Sequence, residues 1–515
     1  MKKLTSAVAL CAVCASSPAP EAAAGPPSDF VVHPDAPSTT YHSIELDGQT
    51  LHYQAQAGTL SLTDNEHEEI ARVFYISYRT LAAPFDASVE GAEPEFPDTA
   101  TRPITFSFNG GPGSSSVWLH LGVFGPKKVK YADDFGNPGP PPYRLEDNPQ
   151  TLLDQTDFVF IDPVSTGFSR ATGEAEDQAF YGLEKDAVSV AEFIRRFVTR
   201  YDRWNSPKFI AGESYGTTRC AAIAPILQDR HGMHLNGVVL VSAVLNFQTI
   251  RFGVGNDLPH VLYLPTFAAT AQFHSDNPKT GDDLRKFIEE VEAFAFEEYM
   301  PALARGDALP EAEREAIVRK MAEYTGLSET FIRQSNLRLS VGPFNKELRR
   351  DEARTVGRLD SRFTGIDRQA AGDGYEYDPA YAAIQGIYTG ALNHYLRTDL
   401  EYRSDLPYEI LTGVSPWSYE PAGRARYVNV AERLRRAMSA NPHLRVFVAS
   451  GYYDLATPHL ATDYTFNTMQ LDPELQGHYE THYYEAGHMM YLHRPSLEKL
   501  KADLDAFYES VPVAE

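Results

Sequence analysis

Basic residues, cysteine and long apolar runs are all scarce in this chain. Its 515 residues hold 46 Lys and Arg against 70 Asp and Glu, a formal charge of −24 at pH 7. A surface that neutralises phosphates needs clustered cations, so the balance argues against a nucleic-acid partner. The Arg pairs that occur, Arg195/Arg196, Arg349/Arg350 and Arg435/Arg436, are interleaved with acids and read as solvated helix faces. Only three cysteines are present, Cys11, Cys14 and Cys220. The first two fall in a segment, residues 1–24, with Lys2 and Lys3 before the apolar run Leu4 to Ala15 and then small residues and Pro. That is the pattern of a signal peptide, with cleavage after Ala15 or within Ala22-Ala23-Ala24. Its removal leaves Cys220 alone, which excludes an intramolecular disulfide. The fold must then stand on its core even in an oxidising compartment. The run is too short to span a bilayer, and no later stretch reaches about 18 uncharged apolar residues. The expectation is an exported protein, periplasmic or secreted, without an integral membrane segment after signal removal. Lipid attachment at Cys11 or Cys14 is a minor alternative.

Apolar and aromatic residues, by contrast, are plentiful: 43% hydrophobic, with 29 Tyr and 28 Phe. That is too apolar for a disordered chain, and the length suits one large α/β domain with an added unit. After a Pro- and Ser-rich lead-in at 25–40, alternating patterns at Ser43–Leu46, Leu51–Tyr53, Leu60–Leu62 and Val73–Tyr78 predict antiparallel strands. Short apolar runs at Ile104–Phe108, Phe158–Ile161, Phe209–Ala211 and Gly237–Val241 end in Gly, Pro or Asp and predict buried parallel strands. Between them Val190, Phe193, Ile194 and Phe197 recur at helical spacing. Residues 276–395 show almost no strand pattern; Leu284, Phe287, Ile288, Val291 and Phe294 mark one helix and residues 315–324 another. Strand-like sequence returns at Arg445–Ala449 and Thr481–Tyr484, and a helix over 496–508 closes the chain. The reading is an α/β core at 41–275 and 396–515, interrupted by a mainly helical cap at 276–395.

Gly212-Glu213-Ser214-Tyr215-Gly216 lies between the strand ending at Ala211 and a helical stretch over 217–227. A G-x-S-x-G there makes the nucleophile elbow of the α/β-hydrolase fold, with its mainly parallel central sheet; the bland alternative is a Gly-rich turn. A serine needs a base, and this fold orders nucleophile, acid, histidine. Asp454 follows the strand at Arg445–Ala449, and His488 follows the strand at Thr481–Tyr484. Ser214, Asp454 and His488 are therefore the candidate catalytic residues. Taken singly, Asp454 could be a turn residue, and His488 stands among His478, His482 and His493. No H-E-x-x-H spacing joins them, so no metal is expected, and no organic cofactor is required. Asn109-Gly110-Gly111-Pro112-Gly113 after Ile104–Phe108 suits an oxyanion hole, with Gly111 N–H and Tyr215 N–H as donors. It lacks the Lys of a phosphate loop. Cys220, on the helix after Ser214, reads as a small buried side chain.

Together, Asn109 to Ser116, Gly212 to Gly216, Gly487-His488-Met489 and the segment Phe160 to Ser169 resemble the serine carboxypeptidases, peptidase family S10, over roughly residues 40–510. The resemblance implies removal of single residues from peptides with a free C-terminus. It also implies that Asn109, Gly110 and Glu213 bind the terminal carboxylate. Glu213 can donate a hydrogen bond to a carboxylate only if the two share a proton, so binding is expected to be tightest at acidic pH. The family also uses a second acid in this network, whose position is not readable from this sequence. Ser114 stands where many eukaryotic members have Cys, and Met490-Tyr491 where they continue Val-Pro. With Gly357-Arg358-Leu359-Asp360-Ser361-Arg362-Phe363, these departures resemble a bacterial branch. An esterase or acyltransferase with the same residues is the nearest rival, and a non-catalytic binding protein on the same fold a more distant one. Side-chain preference and oligomeric state are not readable. Phe331, Phe344 and Tyr388 would suit apolar substrates or the core of the cap equally well.

Overall fold

The computed structural model describes residue 33 and residues 36–419 and 427–513. The signal peptide read at 1–24, and most of the lead-in read at 25–40, lie outside the described residues.

The sheet strands in chain order are β1 (Ser38–Leu46), β2 (Gln49–Thr63), β3 (Glu69–Thr80), β4 (Ile104–Phe108), β5 (Asp157–Ile161), β6 (Lys208–Glu213), β7 (Gly237–Val241), β8 (Arg445–Gly451) and β9 (Tyr479–Tyr484). They lie in the order β1-β2-β3-β5-β4-β6-β7-β8-β9, and a short strand, Arg170–Ala171, also pairs with β3. The pairings β1–β2, β2–β3 and β3–β5 are antiparallel. From β5 to β9 every pairing is parallel. This is the α/β-hydrolase architecture: a mainly parallel sheet covered by helices.

Side-chain alternation explains why both faces are covered. In β7, Val238 and Leu240 enter one apolar cluster and Val239 and Val241 the other. In β8, Val446 and Val448 part from Phe447 and Ala449 in the same way. Each face therefore needs its own layer of helices. Helices α1 (Leu183–Arg200) and α2 (Tyr215–His231) cover the first face through Phe193, Ile194, Phe197, Ile223 and Leu227. On the second face lie two later helices, which become α6 (Pro379–Thr398) and α7 (Arg494–Ser510), through Ile387, Leu392, Leu500 and Leu504. Burying each such side chain contributes roughly 1.5–3 kcal/mol.

The predicted segments Leu51–Tyr53 and Leu60–Leu62 belong to one strand, β2. Ala55 and Ala57 fill the inward positions between them, too small to register as an apolar signal. Tyr53, Ala55 and Ala57 face one cluster and Leu60 and Leu62 the other, so the strand changes sides near Gly58.

Between β7 and β8, α3 (Leu264–Phe273), α4 (Gly281–Phe294) and α5 (Glu311–Thr325) share a cluster of Phe267, Val291, Phe294, Val318, Met321 and Phe344. The insertion read at 276–395 thus falls across two packing groups: α3 precedes it yet packs with it, whereas α6 lies on the sheet. Phe344 and Tyr388 are wholly buried in these two clusters and Phe331 packs against the first, so all three serve the core.

Candidate active site

Strand β6 ends at Glu213, and α2 begins at Tyr215. Ser214 between them has φ 59° and ψ −128°, a conformation that costs a non-Gly residue on the order of 1–3 kcal/mol. Ser214 N–H donates to the Val241 carbonyl at 3.0 Å, and its own carbonyl accepts from Thr217 N–H at 2.9 Å and Thr217 Oγ1 at 2.7 Å. The turn is tight enough that a Cβ on Gly110 would collide with Tyr215 N, and one on Gly212 with the Gly216 carbonyl. Glycine at these positions lets the β4 loop, the strand end and the helix start come together. Tyr215 opens the helix, so its N–H has no acceptor one turn back.

A cleft of about 870 Å³ runs over this turn, lined by Ser214, Tyr215 and Glu213, by Asn109, Gly110 and Gly111 from the loop after β4, and by His488. Asp454 sits just past β8 and His488 just past β9, at the same end of the parallel strands as the elbow. His488 Nδ1 is 2.7 Å from Asp454 Oδ2. Asp454, fully buried, also accepts from Ala456 N–H at 2.7 Å, Thr457 N–H at 3.0 Å and Thr457 Oγ1 at 2.7 Å. Burial pulls the His488 imidazolium pKa down, but the charge and hydrogen bond of Asp454, with Glu213, outweigh it and set it above the ordinary value. An imidazole held this way, with its other nitrogen free of Asp454, can accept a proton from a hydroxyl in the cleft.

Glu213 is 4% exposed, and burial pushes its carboxyl up to about 7 against the downward pull of His488 and of the Tyr491 hydrogen bond. Tyr491 Oη donates to Glu213 Oε2 at 2.6 Å. Asn109 Nδ2 is buried without an aligned partner, yet Asn109 lies close enough to Glu213 to help lower its pKa. Asn109 Oδ1 is engaged by Leu119 N–H at 3.0 Å. The cleft thus holds a carboxylic acid whose pKa is raised to about 7 beside an amide with a spare donor.

Three supports escaped the sequence reading. Tyr491 was visible only as a departure at a doubtful position, and one tyrosine among 29 carries no motif. Arg219 Nη1 donates to the Asn109 carbonyl at 2.6 Å, while Asp186 holds the same guanidinium at 2.8 and 3.2 Å, all of it buried. Asp360, paired with Arg362 at 2.7 Å, accepts Gly487 N–H at 3.2 Å, and the Leu359 carbonyl accepts His488 N–H at 2.6 Å. The segment 357–363, singled out in the sequence only for its resemblance, therefore braces the His488 loop. Ser114 Oγ accepts the Trp118 indole N–H at 2.8 Å, and Cys220 is buried with its thiol pKa pushed well up by burial. Among the described residues no group of three or more His, Cys, Asp or Glu is placed to hold a metal ion.

Residues 89–257 match the family model of serine carboxypeptidase, a stretch that contains the Asn109 loop and the elbow but not Asp454 or His488. Serine carboxypeptidase-like 35 of Arabidopsis thaliana is 26% identical over 173 residues, 30% of this chain and 33% of the relative. Pheromone-processing carboxypeptidase kex1 of Penicillium rubens is 31% identical over 132 residues, 25% of this chain and 20% of the relative. The chain thus aligns with a third or less of the length of these curated relatives. The crystal structure of Kex1(delta)p, a prohormone-processing carboxypeptidase from Saccharomyces cerevisiae, superposes with a TM-score of 0.50 at 15% identity, covering 90% of this chain and 92% of that one, which is a likeness of fold. Over residues 89–257 the chain is thus similar to the serine carboxypeptidases, peptidase family S10, and over most of its length it shares their fold.

Proposed function

We propose that the protein is an exported serine carboxypeptidase that removes C-terminal residues from peptides through an acyl-enzyme on Ser214. His488 takes the Ser214 proton and returns it to the leaving amine, and Asp454 fixes the imidazole and stabilises its cation. The N–H groups of Gly111 and Tyr215 hold the oxyanion. Asn109, Gly110 and Glu213 hold the substrate's terminal carboxylate. The observation that carries this reading is Glu213: a buried acid in the cleft that holds Ser214, with a pKa raised to about 7. A protonated acid there donates to a carboxylate, whereas a simple ester offers it nothing to hold. Two directions of pH dependence follow. Peptide binding weakens as pH rises through about 7 and Glu213 ionises. Turnover falls at lower pH, as His488, whose pKa is raised, becomes protonated. Export rests on the N-terminal sequence, and a place in the bacterial branch on Ser114 and the segment 357–363.

The test compares the protein and Ser214→Ala on one blocked dipeptide with a free and then an amidated C-terminus, from about pH 4 to 8. Cleavage of the free acid alone, lost by on the order of 10⁴–10⁶-fold in the variant, is the expected result. Equal cleavage of acid and amide, or action on simple esters only, would move the assignment to an esterase or acyltransferase.

A further inference from the structure

Two arginines on the cleft wall have no part in the chemistry above. Arg251 follows a short helical turn, Phe247–Thr249, beyond β7; Arg358 lies in the segment that braces His488. Both line the cleft and both are exposed to it. Among the described residues neither guanidinium pairs with a carboxylate, although other arginines nearby do so: Arg338 with Asp257, Arg362 with Asp360 and Arg219 with Asp186. The acids lining the cleft are Glu213, whose pKa is raised to about 7 so that it is mostly neutral below about pH 6, and Asp378. Asp378 is already committed to the N–H groups of Arg358 at 3.1 Å, Leu359 at 3.0 Å and Ala380 at 3.0 Å. In a chain of net charge −24, the cleft therefore carries two cations that, among the described residues, form no ion pair with a carboxylate.

The position of these cations says what they meet. The cleft lies between two apolar groups. Tyr491, behind Glu213, and Trp118 belong to the cluster on the sheet's second face; Phe252 and Tyr263 belong to the cluster built around α3, α4 and α5. Arg251 stands with its guanidinium carbon 5.6 Å from the centre of the Phe247 ring, a member of the cluster on the sheet's first face. Burial raises the Tyr263 phenol pKa, Arg358 and Arg251 pull it down and Asp454 pushes it up, so both arginines act on the same stretch of the cleft wall. Arg358 lines the same cleft as His488 and pulls its pKa down slightly, against the larger upward effect of Asp454. A peptide with its terminal carboxylate at Glu213 and its scissile carbonyl at Ser214 carries its preceding residues away from Glu213, into the cleft that Arg251 and Arg358 also line.

We propose that Arg251 and Arg358 form a subsite for an acidic side chain on the residue before the scissile bond, so that the preferred substrates are peptides with Asp or Glu in the penultimate position. The proposal rests on the carboxypeptidase reading for the direction of the chain, and its test is arranged to separate the two. The affinity of Ser214→Ala for N-acyl-Glu-Leu, N-acyl-Gln-Leu and N-acyl-Lys-Leu is measured by calorimetry at about pH 6. The measurement is repeated with Arg251→Gln and Arg358→Gln added, singly and together. The Glu peptide should bind about tenfold tighter than the Gln peptide, an effect at the upper end for partly exposed pairs acting together, and the Lys peptide more weakly than either. The added double substitution should cut the Glu advantage to about twofold or less, leave the Gln peptide unchanged and preserve the unfolding midpoint, since both side chains are exposed. Equal binding of the Glu and Gln peptides, or an advantage that survives the double substitution, overturns the proposal. So does an equal loss for all three peptides, which would make the arginines anchors for the terminal carboxylate. If the Glu preference in binding stands while the unsubstituted protein cleaves neither free nor amidated peptide, the acidic subsite holds and the carboxypeptidase reading fails.

Discussion

At the scale of single residues, the most informative group is Glu213. Its carboxyl pKa is raised to about 7 from an ordinary 4.5, first by burial. The native state therefore keeps a proton that the unfolded chain releases between those two values. The stability that Glu213 contributes is complete below about pH 4.5 and is lost as pH rises through about 7, a change of about 3 kcal/mol. Glu213→Gln, which cannot ionise, should unfold at higher urea concentration than the parent at pH 8, with the gap closing by pH 5. The Tyr491 hydrogen bond acts on the same carboxyl in the opposite direction, lowering its pKa. Tyr491→Phe should therefore move the rise of KM with pH to higher pH, by a few tenths to about one unit. A purely structural tyrosine would leave the KM profile where it was. Glu213 itself was legible in the sequence because it lies within a motif; Tyr491 was not, because its partner is 278 positions away and only folding brings them together.

Among the elements, the decisive contacts lie where the β4 loop, β6 and α2 meet. Gly110→Ala would drive a methyl group into Tyr215 N, displacing a proposed oxyanion donor. A misplacement of about 1 Å there should lower kcat/KM at least about 100-fold while circular dichroism stays that of the folded protein. The buried Asp186–Arg219 pair ties α1 to α2 and holds the Asn109 carbonyl. Arg219→Met strands Asp186 without a partner and should destabilise by about 3–5 kcal/mol in urea unfolding. Changing both residues to apolar ones should recover much of that loss, because the uncompensated charge is gone. Strand ends were readable at this scale: β4 and β6 are short and followed by Asn109 and Ser214, and β8 ends on Gly451, which fixes where their loops emerge. The Asp186–Arg219 pair was not, since an Asp and an Arg on two amphipathic helices look the same whether they face water or each other. Nor was the unity of β2, whose middle is built on Ala55 and Ala57.

Over the whole molecule, the two-faced sheet was implied by the alternation of strand and helix, and the helical insertion by the loss of strand pattern after residue 275. The packing of that insertion was not implied. Helical periodicity reports which face of a helix is buried, not what covers it, so α3 and α6 could not be assigned to a layer in advance. Cys220 is the free cysteine among the described residues and is buried under the elbow. Reducing agent should accordingly leave the urea transition of the full chain unchanged, whereas a shift would reveal a covalent link that involves Cys11 or Cys14.

The brace from Leu359 and Asp360 onto Gly487 and His488 limits how such a protein can change. The stretch that carries Arg358, and so helps shape what the cleft accepts, also steadies the imidazole that would do the chemistry. Selectivity and rate are then coupled by construction. A relative's insertion grafted between β7 and β8 would carry over its preferences only if its counterpart of residues 357–363 came with it; otherwise the graft would form a cleft around a histidine that keeps Asp454 but has lost the brace on its backbone.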